Sequence, residues 1–425
     1  MGTKFFHSAD LHLDSPLRGL ERYAEAPSDR IRGATRRAFE NLIDACLEEN
    51  AKLLLIAGDL FDGEWQDYST GLFFAAQLGR LRQADVQVVW LRGNHDAASK
   101  IRKSLLLPSN VRELSVRRAE TLEFPELGIA VHGQGYAAAD TREDLAARYP
   151  RAVPGCVNVG VLHTSLNGRP GHEPYASCSL ETLVDRGYDY WALGHVHARE
   201  LVSREPFVVF PGNLQGRHVR ETGPKGATVV DIEAGRISDV RARELDVVRW
   251  ERLAIDASAA RAAEDVIDLV RAELSSLARA ADGRLLAVRV QVFGSSAAHS
   301  ALASKPDEFA NQVRAAAVEL SEGEVWVEQV RVMTRPALDL EALRRRQDAV
   351  GSLAAALERV RTDPEQLSLV SQDLRELAEK LPAELREGSD AVTLQGDGAL
   401  VELVDAAERL LLSRLGALGL DEAGR

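Results

Sequence analysis

The sequence is poor in cysteine and in aromatic residues. It has three cysteines in 425 residues, and Phe, Trp and Tyr together make up 5% of the chain. The cysteines, Cys46, Cys156 and Cys178, are odd in number and far apart, which argues against a disulfide framework and against a zinc–thiolate site. The low aromatic content means that any hydrophobic core must be built largely from aliphatic side chains.

Long hydrophobic runs are also missing. No window of about 18 residues is apolar and free of charge, so we expect no membrane span. The first residues show neither an apolar signal segment nor a myristoylation pattern, and we therefore expect a cytoplasmic protein. A Walker A phosphate loop is absent as well, so any dependence on ATP would have to come from a partner.

Positive charge is scarce relative to negative charge. The formal net charge is −13 at pH 7. This balance argues against a surface that is basic all over and against tight, unaided, non-specific binding to DNA, although a local basic groove is compatible with it. The length of 425 residues predicts two or three domains rather than one compact core.

Residues 1 to 245 are predicted to form a first domain in which strands alternate with helices or long loops. Helices are expected at Ser28–Asn50 and Tyr68–Ala84, where apolar residues recur at helical spacing. Later strands lose the intervening helices, which favours an α/β fold of the α+β sandwich kind, with a two-sheet core flanked by helices. The predicted strands, several of them continuous apolar runs, are Lys4–Ala9, Leu53–Ala57, Val86–Leu91, Gly128–His132, Val157–Leu162, Tyr190–Leu193, Val208–Phe210 and Ala227–Ile232.

Residues 246 to 335 are predicted to form a small α+β capping domain, and residues 336 to 425 a helical C-terminal tail. Three strands are expected in the capping domain, at Trp250–Ile255, Leu285–Phe293 and Val325–Met333, with a helix between each pair. The tail repeats Leu and Val at helical spacing. These apolar stripes either pack inside the tail or form a docking surface for a partner.

Five short segments carry most of the candidate chemistry, and each is expected where a strand ends. Asp10 and His12 are two residues apart, as are His195 and His197, so the members of each pair point the same way in extended backbone. Gly58 allows a sharp turn next to a ligand. The segments are Asp10–His12, Gly58–Asp62, Gly93–Asp96, His163 and Gly194–His197.

Together the five segments supply enough oxygen and imidazole donors to hold two divalent metal ions side by side. The mixed donor set suits Mn²⁺, with iron, zinc and magnesium left open. Each segment alone has an ordinary explanation: Gly93–Asp96 as a capped turn, His163 as a packed core histidine, His195 and His197 as solvent-facing strand residues. Their occurrence in order, each after a predicted strand, favours the metal site.

Longer segments around these motifs carry a family resemblance: His7–Pro16, Leu162–Leu166, Tyr188–His197 and Pro211–His218. In them the chain resembles the calcineurin-like metallophosphoesterase superfamily. Within that superfamily it is similar to the SbcD-like DNA repair exonuclease group, and specifically to its YhaO-type bacterial branch. The resemblance covers residues 1 to about 245. It is weaker in the middle module, which resembles the capping domain of such nucleases.

The resemblance implies roles for the motif residues. One metal ion is assigned to Asp10, His12, Asp59 and His197, and the other to Asp59, Asn94, His163 and His195. His95 is implied to be the general acid, with Asp96 beside it to orient or charge it. Asp62 is expected to support Asp59 without itself binding a metal ion. The implied reaction is attack on phosphorus by a hydroxide that bridges the two ions, with His95 protonating the leaving oxygen.

Four further residues are expected to contact the substrate: His172, Asn213, Arg217 and His218. The segment Asp14–Pro16 replaces the glycine that follows the first motif in the better-studied SbcD-type nucleases, a departure that is typical of the YhaO-type branch. It weakens a direct transfer of their substrate preference to this chain.

The resulting hypothesis is a two-metal-dependent DNA phosphodiesterase, an exonuclease or endonuclease acting in DNA repair. The expected partners are DNA and an SbcC-like coiled-coil ATPase that docks on residues 336 to 425; a homodimer is left open. One alternative is a small-molecule or nucleotide phosphoesterase of the same fold, and another is a scaffolding subunit with a dead site. The extra modules favour the nuclease, and the complete ligand set argues against the dead site.

Overall fold

The computed structural model describes residues 2–16, 26–62, 68–98, 106–168, 175–321, 323–337, 344–380, 400, 403–408 and 411. The chain divides into two compact units. The first consists of Met1–Leu253, Leu274–Arg289 and Ala317–Gln329, and the second of Ala254–Glu273, Val290–Ala316 and Val330–Arg425.

The strands are β1 Thr3–Ser8, β2 Leu53–Ala57, β3 Gln87–Leu91, β4 Val111–Glu113, β5 Glu120–Phe124, β6 Ile129–Gly133, β7 Val157–His163, β8 Tyr190–Gly194, β9 Glu200–Arg204, β10 Phe207–Phe210, β11 Gly226–Glu233, β12 Arg236–Glu244, β13 Val248–Asp256, β14 Leu285–Phe293, β15 Ser295–Ser296, β16 Val325–Val332 and β17 Arg335–Pro336. The α-helices are α1 Ser28–Arg32, α2 Ala34–Glu48, α3 Ser69–Gln83, α4 Asn94–Ala98, α5 Leu180–Val184, α6 Ala263–Ala280, α7 His299–Ser304, α8 Pro306–Ser321, α9 Ala349–Thr362 and α10 Pro364–Lys380. A 3₁₀ turn covers Ala146–Arg148. Among the helices described, none is long and apolar enough to cross a membrane.

The first unit contains two six-stranded mixed sheets. One has the order β12-β11-β1-β2-β3-β4, in which β1 to β4 are parallel and β11 and β12 are antiparallel additions. The other has the order β5-β6-β7-β8-β10-β9, with β6, β7, β8 and β10 parallel and an antiparallel strand at each edge. The parallel strands of each sheet therefore bring their carboxyl ends to one edge of that sheet.

The continuous apolar run of β2 is explained by burial on both of its faces. Successive side chains of a strand point to opposite faces of the sheet. Leu53 packs in one core with Val159 of β7 in the other sheet, whereas Leu54 packs in a second core with Phe39 of α2. This arrangement confirms the predicted two-sheet core flanked by helices.

The prediction of one continuous helix at Ser28–Asn50 is wrong. The structure has two helices there, α1 and α2, separated by Gly33. Glycine disfavours the interior of a helix because of its backbone freedom. After α2, Asn50 adopts a left-handed conformation with φ of 54°, and its N–H donates to the Leu47 carbonyl at 3.2 Å, which ends the helix.

The three strands predicted for the middle module are present as the sheet β13-β14-β16. Within the first unit, Trp250 and Leu285 pack in a cluster with Ile31 and Val219. The start of β13 belongs to the first unit together with parts of β14 and β16. The domain boundaries proposed at residues 245 and 335 therefore stay predictions.

The described part of the tail is helical, as expected. Asp348 caps α9 by accepting a hydrogen bond of 3.0 Å from the Gly351 N–H. Val404 is buried, and Arg344 forms a 3.1 Å ion pair with Glu408, which is itself buried. All of these residues lie in the second unit, and the Arg344–Glu408 pair joins two parts of the tail.

Candidate metal centre

The residues predicted as ligands follow the strands of both sheets. Asp10 and Asp59 come after β1 and β2, and Asn94 begins α4 directly after β3. His163 is the last residue of β7, and His195 follows β8. Because the carboxyl ends of parallel strands gather at one edge, these side chains from distant parts of the chain come together.

The backbone of the ligand loops is held in an unusual conformation. Asp10, His12, Asp59 and His195 have positive φ angles of 51°, 44°, 52° and 97°. Such angles in non-glycine residues persist only where the surroundings enforce them, and they are common at functional sites. Here three backbone hydrogen bonds join the first two loops, from the Asp10 N–H to the Gly58 carbonyl at 3.0 Å, from the His12 N–H to the Asp59 carbonyl at 3.1 Å and from the Leu13 N–H to the Leu60 carbonyl at 2.9 Å.

Asp10, His12 and His197 form the first cluster that can hold a metal ion. The Nε2 atoms of His12 and His197 are 3.3 Å apart, and His197 Nε2 lies 3.9 Å from an Asp10 carboxylate oxygen. His12 is buried, and its Nδ1 atom has no hydrogen-bond partner within the described part of the chain. Two imidazoles and a carboxylate around one point are a donor set that suits a transition-metal ion.

Asp10, Asp59 and His163 form a second, fully buried cluster next to the first. His163 Nδ1 lies 2.9 Å from the Ala57 carbonyl and donates to it, because a carbonyl oxygen can only accept. In the neutral imidazole this leaves the lone pair on Nε2, which lies 3.4 Å from Asp59 Oδ2 and 3.0 Å from Asn94 Oδ1. Three acceptors that converge in this way fit a cation.

The electrostatics of the second cluster also favour a cation. Burial alone would lower the pKa of His163, but the adjacent Asp59 carboxylate raises it to about 9. Burial would likewise raise the pKa of Asp59, but the imidazole of His163 holds it well below its usual range. The protein thus attracts positive charge to this point, and a divalent metal ion competes with protons for such a site.

Asp10 belongs to both clusters and Asp59 to one of them. The bridging role implied for Asp59 therefore stays a prediction. The His195 ring lies near that of His163, with the two centroids 5.2 Å apart, and its backbone N–H donates to both carboxylate oxygens of Asp10 at 3.0 and 3.1 Å. The positions of His195 and Asn94 are compatible with ligand roles, and these roles likewise stay predictions.

His95 lies at the rim of the clusters, and its side chain is 41% exposed. Its Nδ1 atom is 2.7 Å from Asp62 Oδ1, and this contact raises the pKa of the imidazole. The contacts of the two expected supports differ from the expectation, and their roles stay predictions: Asp62, expected to support Asp59, lies against His95. Asp96, expected to orient His95, is buried with its carboxylate accepting the backbone N–H groups of Leu60, Phe61 and Gly93 at 3.1 to 3.3 Å.

A carboxylate that the sequence analysis missed supports His197. Glu221 Oε1 is 2.7 Å from His197 Nδ1, and Glu221 is nearly buried. Burial alone would raise the pKa of Glu221, but the hydrogen bond with His197 holds it far below its usual range. Glu221 lies four residues after Arg217 and three residues beyond the segment Pro211–His218, so the sequence analysis did not single it out.

The residues expected to contact substrate differ in placement. Asn213 is fully buried, and its Nδ2 donates to the Gln215 carbonyl at 2.8 Å and to Glu221 at 3.0 Å. Arg217 is mostly buried among carboxylates, whereas the side chain of His218 is 54% exposed. His172 lies outside the described residues. Of the three described residues, His218 has the most exposed side chain, and its contact with a substrate stays a prediction.

Two glycines permit the close approach of the ligand loops. Gly58 has a φ of +95°, and a Cβ atom there would collide with His163 Nδ1. A Cβ atom at Gly194 would collide with the Ala57 carbonyl and lie 2.9 Å from the same His163 nitrogen. The hydrogen bond that orients His163 therefore depends on the absence of side chains at both positions.

Comparison with known proteins agrees with this geometry. The family model of the calcineurin-like phosphoesterases matches residues 3–199, and that of the middle domain of metallophosphoesterase YhaO matches residues 250–335. The uncharacterized metallophosphoesterase YhaO of Bacillus subtilis is 36% identical over 296 residues, which cover 69% of this chain and 72% of that protein. The chain belongs to the YhaO-type calcineurin-like metallophosphoesterases.

More distant relatives of this metallophosphoesterase are named as DNA double-strand break repair proteins Mre11. The Methanopyrus kandleri protein is 28% identical over 289 residues, and the Sulfurisphaera tokodaii protein is 23% identical over 261 residues. Each match covers 58% of this chain, and 60% and 63% of the respective relatives. The family thus identifies a hydrolase of phosphoester bonds with a metal-ligand cluster, and the resemblance stated from the sequence is confirmed.

Proposed function

We propose that this metallophosphoesterase is a DNA phosphodiesterase that uses two divalent metal ions. The observation that carries the proposal is a pair of clusters that share Asp10: Asp10 with His12 and the partly buried His197, and Asp10 with Asp59 and His163, which is fully buried. Asn94 and His195 complete the ligand set. The oxygen and imidazole donors suit Mn²⁺. When bound, the two ions would polarise the phosphoryl group and activate water against it.

His95 is proposed to donate a proton to the leaving oxygen. Its half-exposed ring can reach a substrate, while its Nδ1 is engaged by Asp62 at 2.7 Å. That contact orients the ring and favours the protonated form, which the rise in the pKa of His95 reflects. His95, Asp62 and His12 also form a group that could hold a metal ion. We nevertheless assign His95 the role of proton donor, because the family resemblance gives it no ligand role.

DNA is the proposed substrate because the Mre11 relatives are named as DNA repair proteins and because the chain carries a module beyond its catalytic core. The net charge of −13 means that contact with DNA must be local or shared with a partner. The second candidate is a small-molecule phosphoesterase. The same clusters support it, because they would bind the phosphate group and do not select the rest of the substrate.

We also propose an SbcC-like coiled-coil ATPase as the partner of the tail. Leu369 on α10 is 56% exposed, which supports a docking surface on that helix. The Arg344–Glu408 pair limits this surface, because it already engages one part of the tail with another.

The test is cleavage of DNA labelled at its 3′ or 5′ end by protein stripped with chelator and supplied with Mn²⁺, Mg²⁺ or Zn²⁺. A small phosphodiester serves as a second substrate. We expect Mn²⁺-dependent cleavage of both, lost in Asp10→Asn and kept in Asp140→Asn, which alters an exposed carboxylate paired with Arg142. Hydrolysis of the small diester without cleavage of DNA would favour the second candidate.

A further inference from the structure

Arg217 occupies an unusual place in the loop between β10 and β11. Its side chain is only 13% exposed and lies between two carboxylates. Its Nη1 atom is 3.3 Å from Asp62 Oδ2, and its Nη2 atom is 3.1 Å from Glu221 Oε1. Its backbone N–H also donates to Glu221 Oε2 at 2.8 Å. The guanidinium is thus engaged by the protein itself on two sides.

Each of these carboxylates holds the Nδ1 atom of a histidine. Asp62 lies 2.7 Å from Nδ1 of His95, and Glu221 lies 2.7 Å from Nδ1 of His197. One guanidinium therefore links the support of the proposed general acid with the support of a proposed metal ligand. Partners of this kind fix the tautomer and the ring orientation of a metal-binding histidine.

The carboxylates also accept hydrogen bonds from neutral side chains. Ser15 Oγ donates to Asp62 Oδ2 at 2.6 Å, and Asn213 Nδ2 donates to Glu221 Oε2 at 3.0 Å. Among the described residues, Arg217 is the one that forms an ion pair with both carboxylates, and its planar fork can hold two acceptors at once. A lysine ammonium is a point charge on a flexible stem and cannot replace that geometry.

We propose that Arg217 is a positioning residue, whose guanidinium fixes Asp62 and Glu221 so that the His95 and His197 rings keep their places. This role differs from the substrate contact expected from the sequence. The inference rests on the metal-dependent hydrolysis proposed above and is independent of whether the substrate is DNA.

The test compares Arg217→Gln and Arg217→Lys with the wild-type full chain and with Arg220→Gln. Arg220 lies in the same loop and is exposed, so its variant removes one charge without touching either carboxylate. Three quantities are measured on stripped protein: the affinity for Mn²⁺ by calorimetric titration, and kcat and KM for a thymidine dinucleotide in saturating Mn²⁺, because its leaving oxygen needs a proton.

A positioning role predicts that Arg217→Gln weakens Mn²⁺ binding by about 10- to 100-fold, the usual effect of losing an outer support of a metal ligand. We expect kcat to fall while KM stays within about threefold, because uniform substrate binding is not altered. Arg217→Lys should recover little of either loss. Arg220→Gln should behave like the wild type in both measurements.

A substrate-binding arginine gives the opposite pattern: a raised KM, unchanged Mn²⁺ affinity and recovery by Arg217→Lys. That pattern would overturn the inference. Glu221→Gln provides a second route if Arg217→Gln folds poorly, because it keeps the side-chain volume and removes one of the linked charges. We expect it to weaken Mn²⁺ binding as well, and its effect should not add fully to that of Arg217→Lys. Full additivity would contradict the linkage.

The two proposals fail in different ways. A wild-type protein that binds no Mn²⁺ and hydrolyses no diester would refute the proposed function. An active wild type whose Mn²⁺ affinity and kcat are unchanged by Arg217→Gln would refute only the role of Arg217.

Discussion

Replacing Asp62 by Asn tests how His95 is prepared to donate a proton. The change keeps the size of the side chain and its acceptor oxygen but removes the charge that faces His95 Nδ1 at 2.7 Å. Hydrogen bonds to charged groups contribute about 1.5–3 kcal/mol, against about 0.5–1.5 kcal/mol for neutral ones. Since about 1.4 kcal/mol is a tenfold change in rate, losing the charge should cost about 10-fold in kcat, and up to about 100-fold if most of the bond is lost.

The effect should depend on the leaving group. An alkoxide leaving from a dinucleotide needs a proton in the transition state, whereas 4-nitrophenolate leaves without one. We therefore expect the loss in kcat for Asp62→Asn on a thymidine dinucleotide, and a loss of less than about threefold on bis(4-nitrophenyl) phosphate. The Mn²⁺ content of the variant is measured in parallel. Equal losses on both substrates at full Mn²⁺ content would refute the role of Asp62 and His95 as a proton-donating pair.

Three further outcomes follow from the structure. Gly58→Ala should destabilise the protein by about 1–3 kcal/mol through backbone strain and also weaken Mn²⁺ binding, because its Cβ would collide with His163. Gly128 also has a positive φ but has open space around it, so Gly128→Ala should leave the affinity for Mn²⁺ unchanged. Similar losses of Mn²⁺ affinity in both variants, measured by calorimetric titration, would contradict this. Burial lowers the pKa of His7 to about 3, so below about pH 6.5 the unfolded chain binds a proton that the folded protein does not. From this residue alone, the free energy of unfolding, measured in urea with EDTA, should therefore fall by about 1.5 kcal/mol between pH 6.5 and pH 5. In His7→Gln this part of the pH dependence should be missing. An identical pH dependence in the wild type and in His7→Gln would contradict the prediction. Leu369→Ser should reduce co-purification with an SbcC-like ATPase without changing the melting temperature, and unchanged co-purification would rule out a docking role for that face of α10.

The sequence was informative where the chemistry is local. Asp10 and His12, like His195 and His197, are adjacent in a short motif at a strand end, and a strand end has a predictable position in a parallel sheet. The continuous apolar run of β2 likewise indicated burial on both faces, which the structure confirms. The strands, and the positions of the motif residues at strand ends, could be predicted because each depends on residues close together in the chain.

The supports of the site could not be predicted in this way. Glu221 pairs with His197 across 24 residues, and Asp62 rather than Asp96 faces His95. Such pairs depend on how loops turn in three dimensions, and neighbours in sequence can point in different directions. Asp96 shows this directly, because its carboxylate is turned towards the backbone of Leu60 and Gly93.

The most direct test of the central claim is the Mn²⁺ content of the full chain, measured by elemental analysis after chelation, reloading and desalting. The clusters around Asp10, with their buried carboxylates and imidazoles, predict two ions per chain in the wild type and in Asp140→Asn. Asp59→Asn should hold fewer than about one, because it removes a charge from the buried cluster that the two ions are expected to share. A wild type that retains no Mn²⁺ yet hydrolyses phosphodiesters, or an Asp59→Asn variant with two ions bound, would contradict the account.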